Sequence, residues 1–235
     1  VVIHESDMTP GLANKLSLPF AKKICFSFPE TEMHLAQSKR VLTGIPIRKE
    51  LFRGDASEGG RLCGFTDNKP VVMIIGGSQG SQVVNTAIRE SLGILLDEFN
   101  VCHLCGKGNL VDDRAGYKQF EYVNEELPHL FAMADVIVSR SGATTLFELL
   151  ALRKPSLLIP LASNASRGDQ ILNAESFEKQ GYSKVLHQVD LSSEALISAL
   201  SATFNDRSKM IDAMNRSNIT DGIDAVVSEI KSVVK

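Results

Sequence analysis

Glycines and small polar residues follow one of the most apolar segments of the sequence, and phosphate-binding turns use these residue types. VVMII at 71–75 runs into GGSQG at 76–80, and a helical pattern follows. Glycine lets the backbone approach a ligand closely, and the first turn of a helix offers unpaired N–H groups to an anion. The G-G-x-x-G spacing is not the dinucleotide fingerprint and lacks the lysine of a P-loop. It predicts phosphate contacts at Gly77, Ser78 and Gln79, with a tight strand–helix turn as the alternative.

A second junction combines small residues with a carboxylate. The apolar run VIVS is followed by RSG and by a helical pattern that contains Glu148. Gly142 and Ala143 leave room for a ligand at the helix N-terminus. Thr144 or Thr145 is expected to cap this helix. Glu148 falls about one turn in, where the helix dipole stabilises a carboxylate and where a sugar diol can donate to it. A plain first-turn acid without a ligand is the alternative.

Two more strand ends carry polar or aromatic side chains suited to ligands. LLIP at 157–160 leads through a polar loop to a helix that begins near Asp169 and Gln170, and such side chains exchange hydrogen bonds with sugar hydroxyls. The alternative is that Asp169 only caps the helix. Tyr122 and Val123 are predicted to end another strand, where a base can pack and backbone groups can recognise its edge. There the alternative is a core role for Tyr122.

These junctions can share one site only if the strands form a sheet, because ligands of open α/β proteins bind outside the carboxyl ends of parallel strands. Short apolar segments alternate with helical patterns along the chain, which predicts βαβ units and a parallel sheet. The predicted strands are 1–4, 23–27, 41–43, 71–75, 100–104, 119–122, 136–139, 156–159 and 184–186. The predicted helices lie near 11–19, 30–36, 81–98, 125–132, 144–152, 168–179, 192–203, 206–215 and 222–234.

A change in composition divides the chain. Residues 54–70, GDASEGGRLCGFTDNKP, are rich in Gly, Asp and Ser and have weak periodicity, which predicts a boundary within 44–70. Residues 71–220 are then one complete doubly wound domain. Because Val1 already falls in a predicted strand, residues 1–48 are expected to be the trailing part of another domain.

Length and composition limit the class of protein. The chain has 235 residues, 43% of them hydrophobic, and a formal net charge of -3 that gives no general attraction to nucleic acid. Four cysteines are too few for a disulfide scaffold at this length, which favours a reducing, cytoplasmic setting. The sequence has no apolar run of about 18 residues and no signal-peptide pattern, so neither a membrane-spanning helix nor export is predicted.

Cys102 and Cys105 have C-x-x-C spacing, but they fall in a predicted buried strand. A redox motif would place its thiolate at a helix N-terminus, and a zinc site would need a second cysteine pair, so neither function is expected. Strand alternation puts the two sulfurs on opposite faces. His103 lies between the cysteines and has no evident partner in the sequence.

Seven stretches, taken together, resemble the MurG family, the bacterial glycosyltransferases of peptidoglycan synthesis. They occur in order and at matching intervals over essentially the whole chain. The stretches are HESDMTPGLANK (4–15), TGIPIR (43–48), GGSQGSQVVN (76–85), HLCGKG (103–108), RSGATTLFE (140–148), the single Pro160 and RGDQILNA (167–174). The spellings HESD and SRGDQ resemble the variant of low-GC Gram-positive bacteria.

The resemblance implies a two-domain fold of the GT-B type. Residues 49–221 match the Rossmann-like, doubly wound C-terminal domain, which binds the donor, and residues 1–48 match the tail end of the N-terminal acceptor domain. Residues 222–235 match a C-terminal helix that crosses back toward the first domain. The start of the donor domain at residue 49 thus lies within the segment 44–70 that composition favours.

The resemblance also implies a reaction. The family transfers N-acetylglucosamine from UDP-GlcNAc to the C4 hydroxyl of lipid I, undecaprenyl-pyrophosphoryl-MurNAc-pentapeptide, and gives lipid II with inversion. It requires no metal or other cofactor for donor binding and has no nucleic-acid partner. It works in the cytoplasm, as a peripheral protein at the inner face of the cell membrane.

Individual residues match family positions that contact the nucleotide. By this resemblance Glu148 holds the ribose hydroxyls, Ser78 contacts the diphosphate and Arg48 lies near the nucleotide. Tyr122 covers the uracil, and Val123 recognises it through its backbone.

Three other residues match contacts to the donor sugar. Asp169 and Gln170 match a Gln-Gln pair that recognises the GlcNAc hydroxyls, and Asp7 matches an asparagine. This chain therefore has carboxylates at positions 7 and 169 where the family has amides.

One family feature does not occur in the sequence. This is the glycine-rich N-terminal loop, GGTGGH or a close variant, which holds the histidine proposed as general base. No catalytic residue is therefore assigned, and donor binding without transfer is expected of these residues alone. Two alternatives are a donor-binding subunit of a split transferase and a non-catalytic nucleotide-sugar-binding protein. A third, an NAD-dependent oxidoreductase, needs an acid after the second strand of the nucleotide domain, where this chain has the basic HLCGKG.

Overall fold

The structure is a computed structural model that describes residues 1–77, 80–112, 114–162, 168–217 and 221–234. Its strands are β1 Val2–Glu5, β2 Lys23–Phe26, β3 Arg40–Leu42, β4 Val71–Ile75, β5 Asn100–Leu104, β6 Tyr117–Phe120, β7 Val136–Ser139, β8 Ser156–Leu158 and β9 Ser183–Val185. Its helices are α1 Leu12–Ser17, α2 Ala56–Cys63, α3 Gln82–Glu98, α4 Leu127–Met133, α5 Ala143–Ala151, α6 Asp169–Lys179, α7 Ser193–Asn205, α8 Arg207–Asn215 and α9 Ile223–Val233. Short 3-10 helices cover Leu18–Phe20, Pro29–His34, Lys49–Arg53 and Gln188–Asp190.

The strands form two parallel sheets. The first has the order β1-β2-β3, and the second has the order β6-β5-β4-β7-β8-β9. In the second sheet the chain runs outward from β4 to one edge and then returns to β7 to build the other half. This is the doubly wound pattern, and its ligand crevice lies where the order reverses, outside the carboxyl ends of β4 and β7.

Both faces of the six-stranded sheet are covered by helices. Met73 and Ile137 belong to a core with side chains of α4, α5 and α6, whereas Val72 and Val138 belong to a core with side chains of α3 and α7. Because successive side chains of a strand point to opposite faces, a strand covered on both sides is apolar at nearly every position. This explains why β4 and β7 are the clearest strand signals in the sequence.

The structure differs from the sequence predictions at the end of one strand and in the segment 54–70. The sixth strand ends at Phe120, so Tyr122 and Val123 lie in the loop beyond it and the prediction that they end the strand is wrong. Residues 54–70 also contain a helix, α2, where weak periodicity indicated only a boundary. Its start is set by Asp55, whose carboxylate accepts hydrogen bonds from the backbone N–H groups at 57 and 58.

Glycine obscured α2 in the sequence and is also what lets it pack. A methyl group on Gly59 would lie 2.4 Å from the backbone oxygen of His129 in α4. Only a residue without a side chain permits this close approach of the two helices. One of the glycines that suggested a domain boundary, Gly59, is thus required for the packing of α2 on α4.

The three-stranded sheet is joined to the rest of the molecule by packing and by the end of the chain. Phe28 is fully buried against Phe147 and Phe177, with ring centroids 5.1 and 5.9 Å apart and edge-to-face geometry. Helix α9 packs on β1 and β2, and its Glu229 forms an ion pair with Lys23 at 3.3 Å. Residues 1–48 therefore share a core with residues beyond the predicted boundary.

No helix in the described part of the chain is both long and apolar enough to cross a lipid bilayer.

Candidate functional site

A cleft of about 230 Å³ opens at the carboxyl ends of β4 and β5, beside the N-terminal turns of α5. Six of the residues that the sequence analysis proposed for ligand binding line it: Arg48, Gly77, Tyr122, Val123, Thr145 and Glu148. The other lining residues are Ile75, Leu104, Glu121, Leu127 and Phe131. The doubly wound topology places the cleft at the switch point, where ligand binding is expected.

Glu148 is the buried acid of this cleft. It is the sixth residue of α5, and its side chain is only 8% exposed. Arg48 donates to Oε1 of this carboxylate from one terminal guanidinium nitrogen at 3.0 Å and from Nε at 3.3 Å. Among the described residues, no hydrogen bond reaches Oε2. The carboxylate is thus oriented by a cation through one oxygen and can accept from a hydroxyl pair through the other.

The walls of the cleft are apolar, with one aromatic ring at the rim. Ile75, Leu104 and Phe131 line the interior with Val123, which is buried. Tyr122 is 73% exposed, so the core role considered for it is wrong. A flat aromatic ring above an apolar wall suits a planar heterocyclic base.

Helix α5 presents its N-terminus to the crevice without a side-chain cap. The N-cap residue is Gly142, and the helix begins at Ala143. The prediction that Thr144 or Thr145 caps it is wrong, because both lie inside the first turn. The first N–H groups of a helix without a side-chain cap are open to an anion.

The glycine-rich loop lies on the other side of the crevice. Ser78 and Gln79 are outside the described residues, but the flanking Gly77 and Gly80 both have positive φ, at 88° and 72°. A methyl group on Gly80 would lie 2.1 Å from the backbone oxygen of Cys105. Gly80 therefore packs directly against the end of β5, and both its positive φ and this close approach require glycine.

Arg140 is a crevice residue to which the sequence analysis assigned no role. Its guanidinium donates to the backbone oxygens of Ile159 and Pro160 at 2.9 and 3.2 Å, and to Oγ of Ser81 at 2.7 Å. Burial lowers the pKa of this guanidinium, which nevertheless stays charged at neutral pH. The signal that could have found it is an arginine placed directly after a buried strand.

The proposed sugar contacts form a second group, at the N-terminus of α6. Asp169 is the first residue of α6 and accepts a hydrogen bond from the Thr9 hydroxyl at 2.8 Å. Asn173 donates to Oδ1 of Asp7 at 3.0 Å and accepts from the backbone N–H of Met8 at 3.0 Å. The loop after β1 thus packs on α6. The sequence analysis quoted Thr9 and Asn173 in its motifs but gave neither a role.

Gln170 connects this second group to the cleft. Its side-chain oxygen accepts from the N–H of Leu161 at 3.1 Å, and its backbone oxygen accepts from the Ser141 hydroxyl at 2.7 Å. The backbone oxygen of Ser141 in turn accepts from Asn173 at 3.3 Å. Among the residues that it describes, the structure therefore places the proposed ones in two neighbouring groups that meet at the start of α5.

Comparison with known proteins agrees with this geometry. The pattern described as "Glycosyltransferase family 28 C-terminal domain" matches residues 71–229. A protein of Clostridium tetani (strain Massachusetts / E88) is 52% identical over 234 residues, which are 98% of this chain and 65% of that protein. It is named UDP-N-acetylglucosamine--N-acetylmuramyl-(pentapeptide) pyrophosphoryl-undecaprenol N-acetylglucosamine transferase. The chain belongs to the MurG branch of glycosyltransferase family 28.

Further MurG relatives agree with this assignment. A protein of the same name from Clostridium botulinum (strain Hall / ATCC 3502 / NCTC 13319 / Type A) is 50% identical over 238 residues, covering 100% of this chain and 67% of that protein. The crystal structure of Acinetobacter baumannii MurG superposes with a TM-score of 0.77 at 24% identity, covering 99% of this chain and 67% of that one. The family resemblance and the GT-B fold are confirmed. The chain spans about two thirds of the length of these relatives.

Proposed function

We propose that these 235 residues bind UDP-GlcNAc and supply the donor half of a GlcNAc transfer to lipid I, which yields lipid II with inversion. The observation that carries the proposal is the Arg48–Glu148 pair inside an apolar cleft at the switch point of the sheet. The names of the MurG relatives supply the sugar nucleotide and the undecaprenol-linked acceptor.

The nucleoside occupies the cleft. Uracil packs against the Tyr122 ring and hydrogen-bonds to the backbone at Val123. The ribose diol donates to Glu148, whose orientation Arg48 maintains. Hydrogen bonds to a buried, oriented carboxylate are stronger than those to a neutral acceptor, which makes Glu148 the main determinant of nucleoside affinity.

The diphosphate lies between the N-terminus of α5 and the glycine-rich loop. Gly142, Ala143, Thr144 and Thr145 supply backbone N–H groups at one side. Gly77, Ser78 and Gln79 supply the contacts of the loop on the other side. Two helix N-termini and the nearby charge of Arg140 stabilise the negative charge that grows on UDP as it leaves, which lowers the barrier to transfer without a metal ion.

The GlcNAc group reaches the second cluster. Gln170, held by the N–H of Leu161, directs its amide toward the sugar hydroxyls, and Asp7 and Asp169 accept from them. The Thr9–Asp169 hydrogen bond joins the loop after β1 to this subsite, so both structural units contribute to sugar recognition.

We further propose that these residues alone bind the donor without turnover. In the MurG family the histidine proposed as general base for the acceptor hydroxyl lies in a glycine-rich loop whose sequence does not occur in these 235 residues. Acceptor orientation and proton removal would then come from other residues, together with peripheral contact at the inner face of the membrane, where the lipid acceptor resides.

Calorimetric titration of the chain with UDP-GlcNAc tests the proposal. Separate titrations with UDP-GalNAc and with NAD are the controls. We expect selective binding of UDP-GlcNAc that Glu148→Ala and Gln170→Ala each weaken. Glu175→Ala, an exposed acid of α6, is the matched control and should leave affinity unchanged. Absence of UDP-GlcNAc binding by a folded sample contradicts the proposal, and preferential NAD binding would favour an oxidoreductase.

A turnover assay on a lipid I analogue tests the second part. No turnover is expected from the chain alone, and robust turnover would refute it. Adding the N-terminal third of the Clostridium tetani relative separates two outcomes. Turnover restored by this addition supports a transferase in two parts. Binding of UDP-GlcNAc without turnover, even after the addition, supports a nucleotide-sugar-binding protein.

A further inference from the structure

A buried polar network lies behind the glycine-rich loop, and the donor site described above does not use it. His103 in β5 is fully buried, and both of its ring nitrogens have partners. Nε2 lies 2.9 Å from Oδ1 of Asn85 in α3, and Nδ1 lies 2.8 Å from the hydroxyl oxygen of Tyr117 in β6. The expectation that His103 lacks a partner is therefore wrong.

The hydrogen bonds of the neighbours fix where the protons lie. Asn85 donates from Nδ2 to the backbone oxygen of Cys105 at 2.9 Å, so its Oδ1 faces the imidazole as an acceptor. Nε2 of His103 must then carry a proton. A neutral ring has only one N–H, so Nδ1 accepts and the Tyr117 hydroxyl donates to it.

The charged and titratable neighbours favour this neutral form. Arg89 of α3 donates to Oε1 of Gln119 at 3.1 Å, and that oxygen also lies 3.1 Å from the Tyr117 hydroxyl. Oε1 of Gln119 therefore accepts a hydrogen bond from Arg89, which leaves the Tyr117 hydroxyl proton available for His103. Burial first, and the positive charge of Arg89 second, lower the pKa of His103 to about 3. Cys105 and Tyr117 stay protonated, since burial raises the pKa of each side chain.

The network reaches the glycine-rich loop through the backbone oxygen of Cys105. This oxygen accepts from Asn85, and it is also the atom against which Gly80 packs, so closely that a methyl group would lie 2.1 Å away. The imidazole orients the Asn85 amide, the amide holds the end of β5, and the end of β5 supports the loop. The loop and the network share α3, because Asn85 lies in its first turns.

We propose that His103 is a positioning residue: as the neutral Nε2–H tautomer it orients Asn85, and through Asn85 it keeps the Cys105 carbonyl in place to shape the loop that binds the donor diphosphate. This inference rests on the proposed function, because it assumes that the loop binds the diphosphate of a nucleotide sugar. It adds a specific consequence: His103 affects phosphate recognition and leaves nucleoside recognition unchanged.

The test compares His103→Leu with His103→Gln, whose side-chain amide can still donate toward Asn85. Affinities for UDP and for uridine are measured by calorimetry and ligand-observed NMR. We expect His103→Leu to lower the affinity for UDP about tenfold, which is the loss equivalent to one well-placed buried hydrogen bond. The affinity for uridine should not change. His103→Gln should restore most of the UDP affinity. Leu200→Ala, a fully buried change in α7, controls for lost stability and should leave UDP affinity unchanged.

A measurement on the unmodified chain does not depend on the variants folding. Nitrogen-15 NMR of labelled histidine at pH 7 should show His103 neutral with its proton on Nε2. A proton on Nδ1, or a charged imidazolium, would overturn the inference.

The binding results separate this inference from the proposed function. If the unmodified chain binds neither UDP nor uridine, the proposed function is wrong and the inference fails with it. The other case is that the unmodified chain binds both ligands. If His103→Leu then binds UDP as tightly as the unmodified chain does, or loses the same factor of affinity for uridine and for UDP, only the role of His103 is wrong.

Discussion

At the scale of single residues, His103 is an ionisable group whose pKa burial shifts strongly. Its pKa is about 3 in the folded chain, lowered by burial and by Arg89, against about 6.5 for an exposed histidine. Between these values the unfolded chain binds a proton that the folded chain does not, so the free energy of unfolding falls as the pH falls below about 6.5. One such group contributes about 1 kcal/mol per pH unit.

Urea unfolding at pH 7, 6 and 5 checks this prediction. His103→Gln should remove that part of the pH dependence, and His34→Gln, at an exposed position, should leave it in place. Equal slopes in the parent chain and in His103→Gln would contradict the assignment.

The Arg48–Glu148 pair gives a second prediction at this scale. Glu148→Gln removes the charge that we propose holds the ribose, and Arg48→Met leaves that charge without the cation that orients it. Each substitution should lower the affinity for UDP-GlcNAc about tenfold. The double variant should lose about 1 kcal/mol less binding free energy than the sum of the two single losses, because both side chains act through one carboxylate. Calorimetry on the four proteins measures the coupling. Strictly additive losses would mean that the two side chains act separately.

At the scale of elements, two neighbouring glycines of α2 should respond in opposite directions to the same substitution. Gly59→Ala forces a methyl group against the His129 carbonyl of α4 and should destabilise the chain by about 1–3 kcal/mol. At Gly60 no atom lies within 4 Å of an added methyl group, so Gly60→Ala should stabilise the helix by up to about 1 kcal/mol. Thermal unfolding of both variants tests this, and equal shifts would show that α2 does not pack on α4 as described.

At the scale of the whole molecule, the buried amide of Asn173 holds the loop after β1 on α6, together with the Thr9–Asp169 hydrogen bond. Asn173 donates to Asp7 and to the Ser141 carbonyl and accepts from the backbone N–H of Met8. Asn173→Ala removes these bonds, including the one to the backbone oxygen of the buried Ser141, so it should cost about 2 kcal/mol. The loss should appear as faster amide hydrogen exchange in β1 and β2, with the six-stranded sheet still protected.

Asn215→Ala is the control for this prediction. Asn215 accepts from Arg153 at 3.0 Å, on an exposed part of the second unit, and its removal should not change exchange in β1. Acceleration spread evenly over both sheets in Asn173→Ala would mean that the two units unfold together.

The sequence determined the alternation of strands and helices, the parallel sheet and the family. A strand buried on both faces is apolar at nearly every position, and a helix buried on one face repeats every 3.6 residues, so both patterns can be recognised locally. Helix α2 was missed because Gly59 and Gly60 dilute its periodicity, and the reason for Gly59 lies in α4, 70 residues later in the chain.

Many candidate residues were proposed from the sequence itself, because glycines and small residues directly after strands are typical of ligand-binding turns. Arg48 and Asp7 were proposed only through the family resemblance. Which of the candidate residues meet was decided by the tertiary structure. Arg48 reaches Glu148 across 100 positions, Thr9 reaches Asp169 across 160, and Arg140 joins the ends of two strands to the cap of α3. Hydrogen bonds between side chains so distant in sequence leave no local pattern, since they depend on the strand order of the sheet and on how the two units pack.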